Sequence, residues 1–474
     1  MPEPSFFGHP RGLATLFLTE MWERFSYYGI RALLILFMTA SAAAGGLGFD
    51  VAHASAVYGL FTAMVWMLSL PGGWVADRIT GLRRAVLYGG LLIAAGNLAL
   101  IVPQLSFFYL GLALIAAGTG LLKPNVSAIV GQLYAPGDAR RDAGFSIFYM
   151  GINLGAFLSP LACGYLGQRV NWRLGFLLAA VGMLLGLVQY VAGWKYLGTV
   201  GVSPAAADPK ARSRLAIGLA AAAGTLLAAW AAGLTVQALS DGMGAILVLT
   251  AVGFFFWLFF LGQWTPQERR RLFVVGALFL AASLFWSLYE QAGSTLNLFA
   301  ERNTRKSILG LEFPASWFQS VPALFVIALA PVFAWIWVKL GRREPSSPAK
   351  FVIGLAGAGA GFALLALPAS SGGQVSPLWL VAVYFVHTVG ELCLSPVGLS
   401  AMTKLAPPRI GGLLMGVFFL SISNGNYLGA RAAALYEALP LPTLFGAVGA
   451  VGIAAGLVLA LFVKPIQNLM GGVK

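Results

Sequence analysis

The chain has 474 residues, of which 59% are hydrophobic and 10% are charged, and its mean hydropathy is +0.83. A soluble domain carries about 25% charged residues, so this composition excludes an ordinary soluble protein. The net charge of +14 would suggest a nucleic-acid partner for a soluble chain, but no nucleic-acid-binding motif accompanies it. Many apolar runs reach ~18–20 residues, the length of a helix that crosses a bilayer. We therefore predict an all-α polytopic membrane protein.

Fourteen apolar runs in chain order predict fourteen membrane-spanning helices. Their predicted bounds are Gly12–Ala40, Val51–Ala76, Ala85–Val102, Phe107–Val130, Ala143–Leu166, Leu174–Trp194, Leu215–Val236, Ala245–Leu261, Phe273–Leu298, Pro314–Val338, Phe351–Leu367, Pro377–Lys404, Gly411–Ala433 and Pro442–Val463.

The distribution of Lys and Arg predicts that both termini are cytoplasmic. Of the thirty basic residues, twenty-one fall in the loops on the side of the termini, six in the opposite loops and three inside spans. Cytoplasmic loops are the ones that carry the excess of Lys and Arg. The loop after the ninth span, ERNTRK, runs against this rule, whereas every other loop agrees with it.

Two polar linkers divide the spans into six, two and six. The first runs from Gly198 to Arg214 and the second from Gln263 to Arg271, and the two helices between them are predicted to have no charge in their interiors. We expect an N-terminal six-helix bundle over 1–197, a linker with two inserted helices over 198–267, and a C-terminal six-helix bundle over 268–474. Six plus six helices around a central cavity is the plan of the major facilitator fold.

The first span carries charges along one stripe. At ~100° per residue, six polar positions fall on one side of the helix. These are Glu20, Glu23, Arg24, Tyr27, Tyr28 and Arg31. Because a charge that faces lipid costs several kcal/mol, the stripe must face the protein interior or a wet cavity. A buried ion-pair network that only packs the helix is the alternative.

Two further motifs follow the first span. GGWVADRITGLRR, residues 72–84, is a short basic turn between the second and third spans, and it resembles the signature loop of the major facilitator superfamily. FYMGINLGAF, residues 148–157, places the polar amide of Asn153 inside the fifth span. A structural hydrogen bond is the alternative role for this amide.

These motifs together resemble one family. The patterns ExxERFxYYG in the first span, FYxxINxG in the fifth and GELxLSPVGLS at residues 390–400 are similar to those of the proton-coupled oligopeptide transporter family. The resemblance covers essentially the whole chain, and the six-plus-two-plus-six layout is similar to that of bacterial members.

The resemblance implies roles for individual residues, as follows. Proton coupling would involve Glu20, Glu23, Arg24 and Glu290. The peptide carboxylate would be bound by Arg31 and Lys123, and the peptide ammonium by Asn153 and Glu391. The pockets for peptide side chains would be lined by Tyr27, Tyr28 and Trp286. Two departures bear on specificity: Pro322 stands where the family usually has Asn, and Phe418 stands where it often has Trp.

The charges inside the spans predict how a proton and a substrate are coupled. Four acids face three cations, so one carboxylate is in excess, and a buried unpaired carboxylate takes up a proton. A peptide carboxylate that takes a cation from a glutamate would favour protonation of that glutamate. We also predict two gating pairs, Arg31 with Glu290 and Lys123 with Glu391, that form and break in alternation. Static pairs are the alternative.

The predicted function is proton-coupled import of di- and tripeptides by alternating access, carried out by a multi-pass protein of the bacterial inner membrane that is not an enzyme.

 

A proton-linked carrier of another small solute, such as nitrate or a peptide-like drug, is the alternative within the same class. Groups that meet both ends of a zwitterion favour peptides over a plain anion. We find no motif of a membrane-embedded enzyme and expect no cofactor and no metal. A receptor or scaffold remains open, although neither needs seven charged groups inside its spans.

The expected partners are a di- or tripeptide, protons and the lipid bilayer, with no nucleic acid, and we expect a monomer. His387 lies four residues before Glu391 on the same helix face, where it could pack or relay a proton. Cys163 and Cys393 are expected to be buried small side chains without a redox role.

Overall fold

The structure is a computed structural model that describes residues 5–135, 138, 140–202, 208–407 and 410–471. Its α-helices, in chain order, are α1 Gly12–Thr39, α2 Val51–Met67, α3 Ser69–Val75, α4 Leu82–Ala99, α5 Leu105–Gln132, α6 Arg141–Tyr165, α7 Trp172–Ala192, α8 Ala211–Ala231, α9 Val236–Phe256, α10 Pro266–Tyr289, α11 Thr295–Arg302, α12 Val321–Leu340, α13 Ser347–Ala369, α14 Leu378–Leu405, α15 Gly411–Ala433 and α16 Leu441–Met470.

Two short antiparallel hairpins complete the regular structure. The first pairs β1, Ser5–Phe6, with β2, His9–Pro10, and the second pairs β3, Ser307–Ile308, with β4, Leu311–Glu312. The first hairpin is held by a hydrogen bond of 2.9 Å between His9 Nδ1 and the hydroxyl of Tyr134 at the end of α5.

The structure confirms the predicted helical membrane fold. Within the described residues, eleven helical segments are long and apolar enough to span a membrane, and they include α2 with α3 as one segment and α10 with α11 as another. The remaining long helices are α1, α4 and α8, so that every predicted span corresponds to a helical segment. Helices suit this apolar chain because they satisfy their own backbone hydrogen bonds inside lipid.

The inserted helices differ from the prediction. The eighth span is predicted to begin at Ala245, but α9 begins at Val236 and includes Asp241. Asp241 forms an ion pair of 2.6 Å with Arg431 of α15, so its charge is compensated by a distant residue. The prediction of two inserted helices without interior charge was therefore wrong for α9. Part of the linker before α8 lies at 203–207, outside the described residues.

The ninth span is also less regular than predicted. Instead of one helix, α10 ends at Tyr289, a 3₁₀ turn follows over Glu290–Gly293, and α11 begins at Thr295. The start of α10 shows a local sequence signal: Thr265 and Glu268 form a capping box, in which Thr265 N donates to Glu268 Oε2 at 2.8 Å.

The described chain folds into two compact units. The first unit contains Met1–Leu33 and Met64–Leu239, and the second contains Leu34–Ala63 and Ser240–Lys474. The division into two six-helix bundles and an inserted pair remains a prediction.

Glycines let helices of the first unit approach closely. A Cβ added at Gly96 of α4 would lie 2.7 Å from the carbonyl oxygen of Gly111 in α5, and a Cβ at Gly89 would lie 2.6 Å from that of Gly118. Small residues at such crossings allow backbones to pack without a hydrophobic driving force between helices. The α4–α5 pair is consequently closely packed.

The signature-like loop is tied to the end of α7. Arg83 Nη2 donates to the carbonyl oxygen of Gly198 at 2.6 Å, and its backbone N donates to that of Gly201 at 3.0 Å. The hydroxyl of Tyr190 in α7 donates to the carbonyl oxygen of Arg83 at 3.2 Å. These contacts hold the segment after α7 against the start of α4.

The second unit uses the same kind of packing. A Cβ added at Gly359 of α13 would lie 2.6 Å from the carbonyl oxygen of Gly449 in α16, and a Cβ at Gly390 of α14 would lie 2.9 Å from that of Gly354. Residues 51–63 of α2 also belong to this unit, where Ser423 Oγ of α15 donates to the carbonyl oxygen of Ala63 at 2.8 Å.

Candidate functional site

The charged stripe of α1 forms a buried cluster around Arg24. The guanidinium group donates from Nε to Glu23 Oε2 and from Nη2 to Glu23 Oε1, the second bond measuring 2.7 Å. Glu20 lies one turn earlier, with its Oε1 at 3.5 Å from Arg24 Nε. All three side chains are at most 2% exposed, so the cluster is removed from water and is not a surface ion pair.

This cluster has more acid than base. Arg24 serves both glutamates, but within the described residues Glu20 Oε2 is buried and has no hydrogen-bond partner. Glu23 receives a further weak contact from Thr119 Oγ1 of α5 at 3.5 Å. A buried carboxylate oxygen without a donor is stabilised when it binds a proton.

Aromatic rings continue the stripe towards Arg31. The Arg24 guanidinium lies 4.9 Å from the centroid of Tyr27 and 6.0 Å from that of Tyr28, and the guanidinium of Arg31 lies 5.6 Å from the Tyr28 ring. The two tyrosine rings meet edge to face at 5.4 Å. Arg31 is 6% exposed, so both cations are surrounded by protein and stabilised in part by ring faces.

The FYMGINLGAF motif positions α6 against this stripe. A Cβ added at Gly155 would lie 2.2 Å from the carbonyl oxygen of Met21, and a Cβ at Gly151 would lie 2.9 Å from the Phe17 ring. The amide of Asn153 lies between these glycines, is 7% exposed, and donates from Nδ2 to the carbonyl oxygen of Tyr149 at 3.0 Å. The glycines were missed in the sequence analysis, although their spacing of four residues is a signal for close helix packing.

Lys123 lies in α5 of the first unit. Its Nζ atom is 4.6 Å from the centroid of the Trp66 ring in α2. The next residue, Pro124, lies inside the helix and lacks a backbone N–H, which weakens the helical hydrogen bonding around Lys123. Trp66 was not predicted from the sequence, because a tryptophan in an apolar span has no pattern that marks it as a cation partner.

In the second unit, Glu290 begins the break between α10 and α11. It is 9% exposed and is the first residue of the 3₁₀ turn. Trp286, one turn earlier, is 6% exposed and packs closely against α15, because a Cβ added at Gly425 would lie 2.3 Å from Trp286 Cβ. A buried acid beside an interruption in a membrane helix is a candidate functional residue, because ionisable side chains inside a membrane are costly.

Glu391 lies on α14 and accepts a hydrogen bond from the hydroxyl of Tyr289. On the same helix, His387 is 1% exposed and its Nε2 forms a hydrogen bond of 3.0 Å with the carbonyl oxygen of Ala358 in α13. Its ring also makes a tilted contact with that of Phe362 at 5.3 Å. Tyr289 was also missed in the sequence analysis, although it directly precedes Glu290.

The structure shows the surroundings of Pro322 and Phe418, the two residues that depart from the family pattern. Pro322 occupies the first turn of α12, where a missing backbone N–H is tolerated. The amide that lies nearby belongs to Gln319, whose Nε2 donates to the carbonyl oxygen of Ala292 at 2.6 Å. Phe418 is 3% exposed, and its Cε2 would lie 2.7 Å from a Cβ added at Gly398 of α14.

The donor set of these sites does not resemble a metal centre. Among the described residues, no group of three or more His, Cys, Asp or Glu side chains could hold a metal ion. The cysteines Cys163 and Cys393 are both buried and free.

The helical fold with buried charges in its spans defines a membrane transporter of the major facilitator type and not an enzyme. The model of the POT family matches residues 83–448. The chain belongs to this family, and it is accordingly a multi-pass inner-membrane protein.

Relatives and solved structures agree with this assignment over nearly the whole chain. The chain is 42% identical to the peptide transporter YePEPT of Yersinia enterocolitica, with 98% of this chain and 96% of the relative covered. It is 39% identical to the di-/tripeptide transporter of Lactococcus lactis subsp. cremoris, with 100% and 99% covered. A crystal structure of the peptide transporter POT in complex with sulfate superposes with a TM-score of 0.94 at 45% identity, covering 100% of this chain and 98% of that chain.

Proposed function

We propose that this protein is a proton-coupled symporter that imports di- and tripeptides by alternating access. The observation that carries the proposal is the buried cluster of Glu20, Glu23 and Arg24, in which two acids share one cation and one carboxylate oxygen has no hydrogen-bond donor among the described residues. Such a cluster can exchange a proton without unfolding the helix that carries it.

The substrate class follows from the relatives and from the chemistry of the remaining residues. Relatives named peptide transporter and di-/tripeptide transporter cover nearly the whole chain, and a mutant of the solved relative was crystallised with alafosfalin. A peptide is a zwitterion, so it needs cations for its carboxylate and an anion for its ammonium. We assign Arg31 and Lys123 to the carboxylate.

The ammonium end is assigned to Glu391 and Asn153. Glu391 supplies a negative charge, and Asn153 supplies an amide oxygen, because its Nδ2 is used by its own helix. Tyr27, Tyr28 and Trp286 are the rings that would contact peptide side chains. The aromatic surroundings of Arg31 and Lys123 reduce their hydration, which strengthens their attraction for a carboxylate.

Coupling requires that the empty and loaded states differ in protonation. In this proposal Glu20 or Glu290 releases or binds the proton as a peptide carboxylate competes for the cations. The pairs Arg31 with Glu290 and Lys123 with Glu391 act as gates that form and break in alternation.

The orientation and assembly of the protein are part of the same proposal. Both termini lie in the cytoplasm, following the bias of Lys and Arg between the two sets of loops. At the exceptional segment ERNTRK, which begins in the last turn of α11, Lys306 pairs with Glu301 at 2.7 Å and Arg302 pairs with Glu437 at 2.6 Å. We propose a monomer as the working unit, although one solved relative at 26% identity is described as tetrameric.

The experiment that tests the function is uptake of a labelled dipeptide into proteoliposomes. We expect accumulation when an inward proton gradient is imposed and only equilibration without it. Equal uptake under both conditions would reject the symport mechanism. Competition by nitrate in place of dipeptide would instead favour the alternative carrier of a small anion.

A further inference from the structure

Tyr289 connects Glu391 to the helix that carries Glu290. It is the last residue of α10, and its hydroxyl donates a hydrogen bond to Glu391 Oε2 on α14. Both residues belong to the second unit. A hydrogen bond from a neutral donor to a charged acceptor is stronger than one between two neutral groups, so this contact restricts where the carboxylate can point.

The position of the hydroxyl is set by the packing of its ring. The ring of Tyr289 stacks on that of Phe285 with centroids 5.6 Å apart and planes at 21°. It meets Trp286 edge to face at 5.6 Å and lies 6.4 Å from the His387 ring. These three ring contacts restrict the rotamer of Tyr289, and they thereby limit how far its hydroxyl can follow the carboxylate.

This geometry affects ligand binding through the flexibility of glutamate. A glutamate side chain that must be ordered when a ligand arrives loses rotamer freedom on binding, and this loss weakens the complex. A carboxylate that is already oriented by a fixed donor avoids part of that loss. The benefit applies only to ligands that use the carboxylate, which means ligands with a positive group.

We propose that Tyr289 is a positioning residue that orients Glu391 for the ammonium group of the substrate, and that it thereby sets the preference for substrates with a free amino terminus. The inference rests on the proposed function, since it takes Glu391 as the partner of the peptide ammonium. Tyr289 need not touch the substrate to act in this way.

The test compares two ligands that differ only in the amino group. Alanyl-alanine and its desamino analogue, propionyl-alanine, are measured as inhibitors of labelled dipeptide uptake in proteoliposomes. The inhibition constant of propionyl-alanine divided by that of alanyl-alanine gives the preference for a free amine. In Tyr289→Phe, which retains the ring contacts and removes the hydroxyl, we expect this ratio to fall about tenfold, with the maximal rate changed less than about twofold.

Two controls make the result specific. Tyr88→Phe removes a hydroxyl from a ring on α4 that is 46% exposed, and it should leave the ratio at the wild-type value. In a Glu391→Gln background, Tyr289→Phe should have no further effect on the ratio, because the hydroxyl acts through the carboxylate. An additional loss in that background would contradict the proposed role.

The outcomes separate this inference from the proposed function. Wild-type protein that prefers alanyl-alanine, together with a Tyr289→Phe variant whose ratio is unchanged or higher, would overturn the role of Tyr289 alone. Wild-type protein that does not transport or bind dipeptides would overturn the proposed function and this inference with it. Thermal stabilisation of the purified proteins by each ligand provides the same comparison if transport by the variant is too slow to measure.

Discussion

The ammonium group of Lys123 lies over the indole ring of Trp66, with Nζ 4.6 Å from the ring centroid. Both residues belong to the first unit, on α5 and α2. The ring limits the positions open to a long and flexible side chain, and it attracts the charge without neutralising it. The position of Lys123 is therefore restricted by Trp66.

Replacing Trp66 by Leu should weaken substrate binding. Loss of a cation–π contact of about 0.5–2 kcal/mol corresponds to a rise in KM of roughly 2- to 30-fold, which initial rates of dipeptide uptake would measure. Trp335→Leu is a matched control, since Lys339 lies 4.4 Å from that ring and Trp335 is 59% exposed. Equal effects of the two changes would show that the pair with Lys123 has no special role.

Glu20→Gln should separate proton-driven uptake from exchange. The variant keeps the shape of the side chain but cannot release a proton, so uptake driven by a proton gradient should be lost while exchange of labelled for unlabelled dipeptide continues. Asp142→Asn, at an exposed position in the first turn of α6, is the control and should leave both activities intact. Gradient-driven accumulation by Glu20→Gln would remove this residue from the coupling mechanism.

Glu23→Gln should act mainly on stability. Glu23 makes two hydrogen bonds with Arg24, and breaking a buried ion pair by removing one partner typically costs about 3–5 kcal/mol. We expect a lower melting temperature in detergent than for Glu20→Gln, whose oxygen lies farther from the guanidinium at 3.5 Å. A Glu23→Gln protein as stable as Glu20→Gln would mean that the geometry of the cluster does not decide its energetics.

Glu290→Gln tests the acid at the helix break in the second unit. We expect loss of proton-driven uptake, because the variant cannot change charge when the proposed pair with Arg31 forms and breaks. Glu437→Gln, an exposed acid that pairs with Arg302, is the control. Unchanged proton-driven uptake by Glu290→Gln would show that this carboxylate is not part of the mechanism.

Gly155→Ala tests the close approach of α6 to α1. The new Cβ would lie 2.2 Å from the carbonyl oxygen of Met21, and backbone atoms cannot move aside cheaply, so we expect a destabilisation of about 1–3 kcal/mol. Gly218→Ala in α8 is the control, because nothing lies within 4 Å of its added Cβ. Melting temperatures of the two variants in detergent make the comparison, and equal values would contradict the packing argument.

The helical fold could be predicted because it depends on local composition. Apolar runs of sufficient length define the spans, and the charged stripe of α1 follows from helical periodicity alone. The start of α9 was predicted nine residues too late, since Asp241 resembles a loop residue until its pairing with Arg431 is known. The break at Glu290 was missed, although the mostly polar residues 290–295, which include Gly293, interrupt the apolar run at this point.

The site was predicted less completely than the fold. Residue types identified the buried acids and cations, because charges inside apolar spans are rare and expensive. The partners of these charges could not be identified in the same way, because Trp66 and Tyr289 look like ordinary residues of apolar helices when only the sequence is considered. Nothing in periodicity or spacing distinguishes an aromatic ring that supports a charge from one that contacts lipid.

By itself, the sequence determined that this chain crosses a membrane many times as helices and that a few of those helices carry buried charge, because hydrophobicity and helical period are local properties. Only the tertiary structure decided which groups meet: that Arg24 is shared by Glu20 and Glu23, that Gly155 brings α6 against α1, and that the hydroxyl of Tyr289 donates to Glu391. The first contact joins neighbours on one helix, whereas the other two join residues far apart in the chain. The energies of all three depend on distance and burial, which appear only when the helices pack.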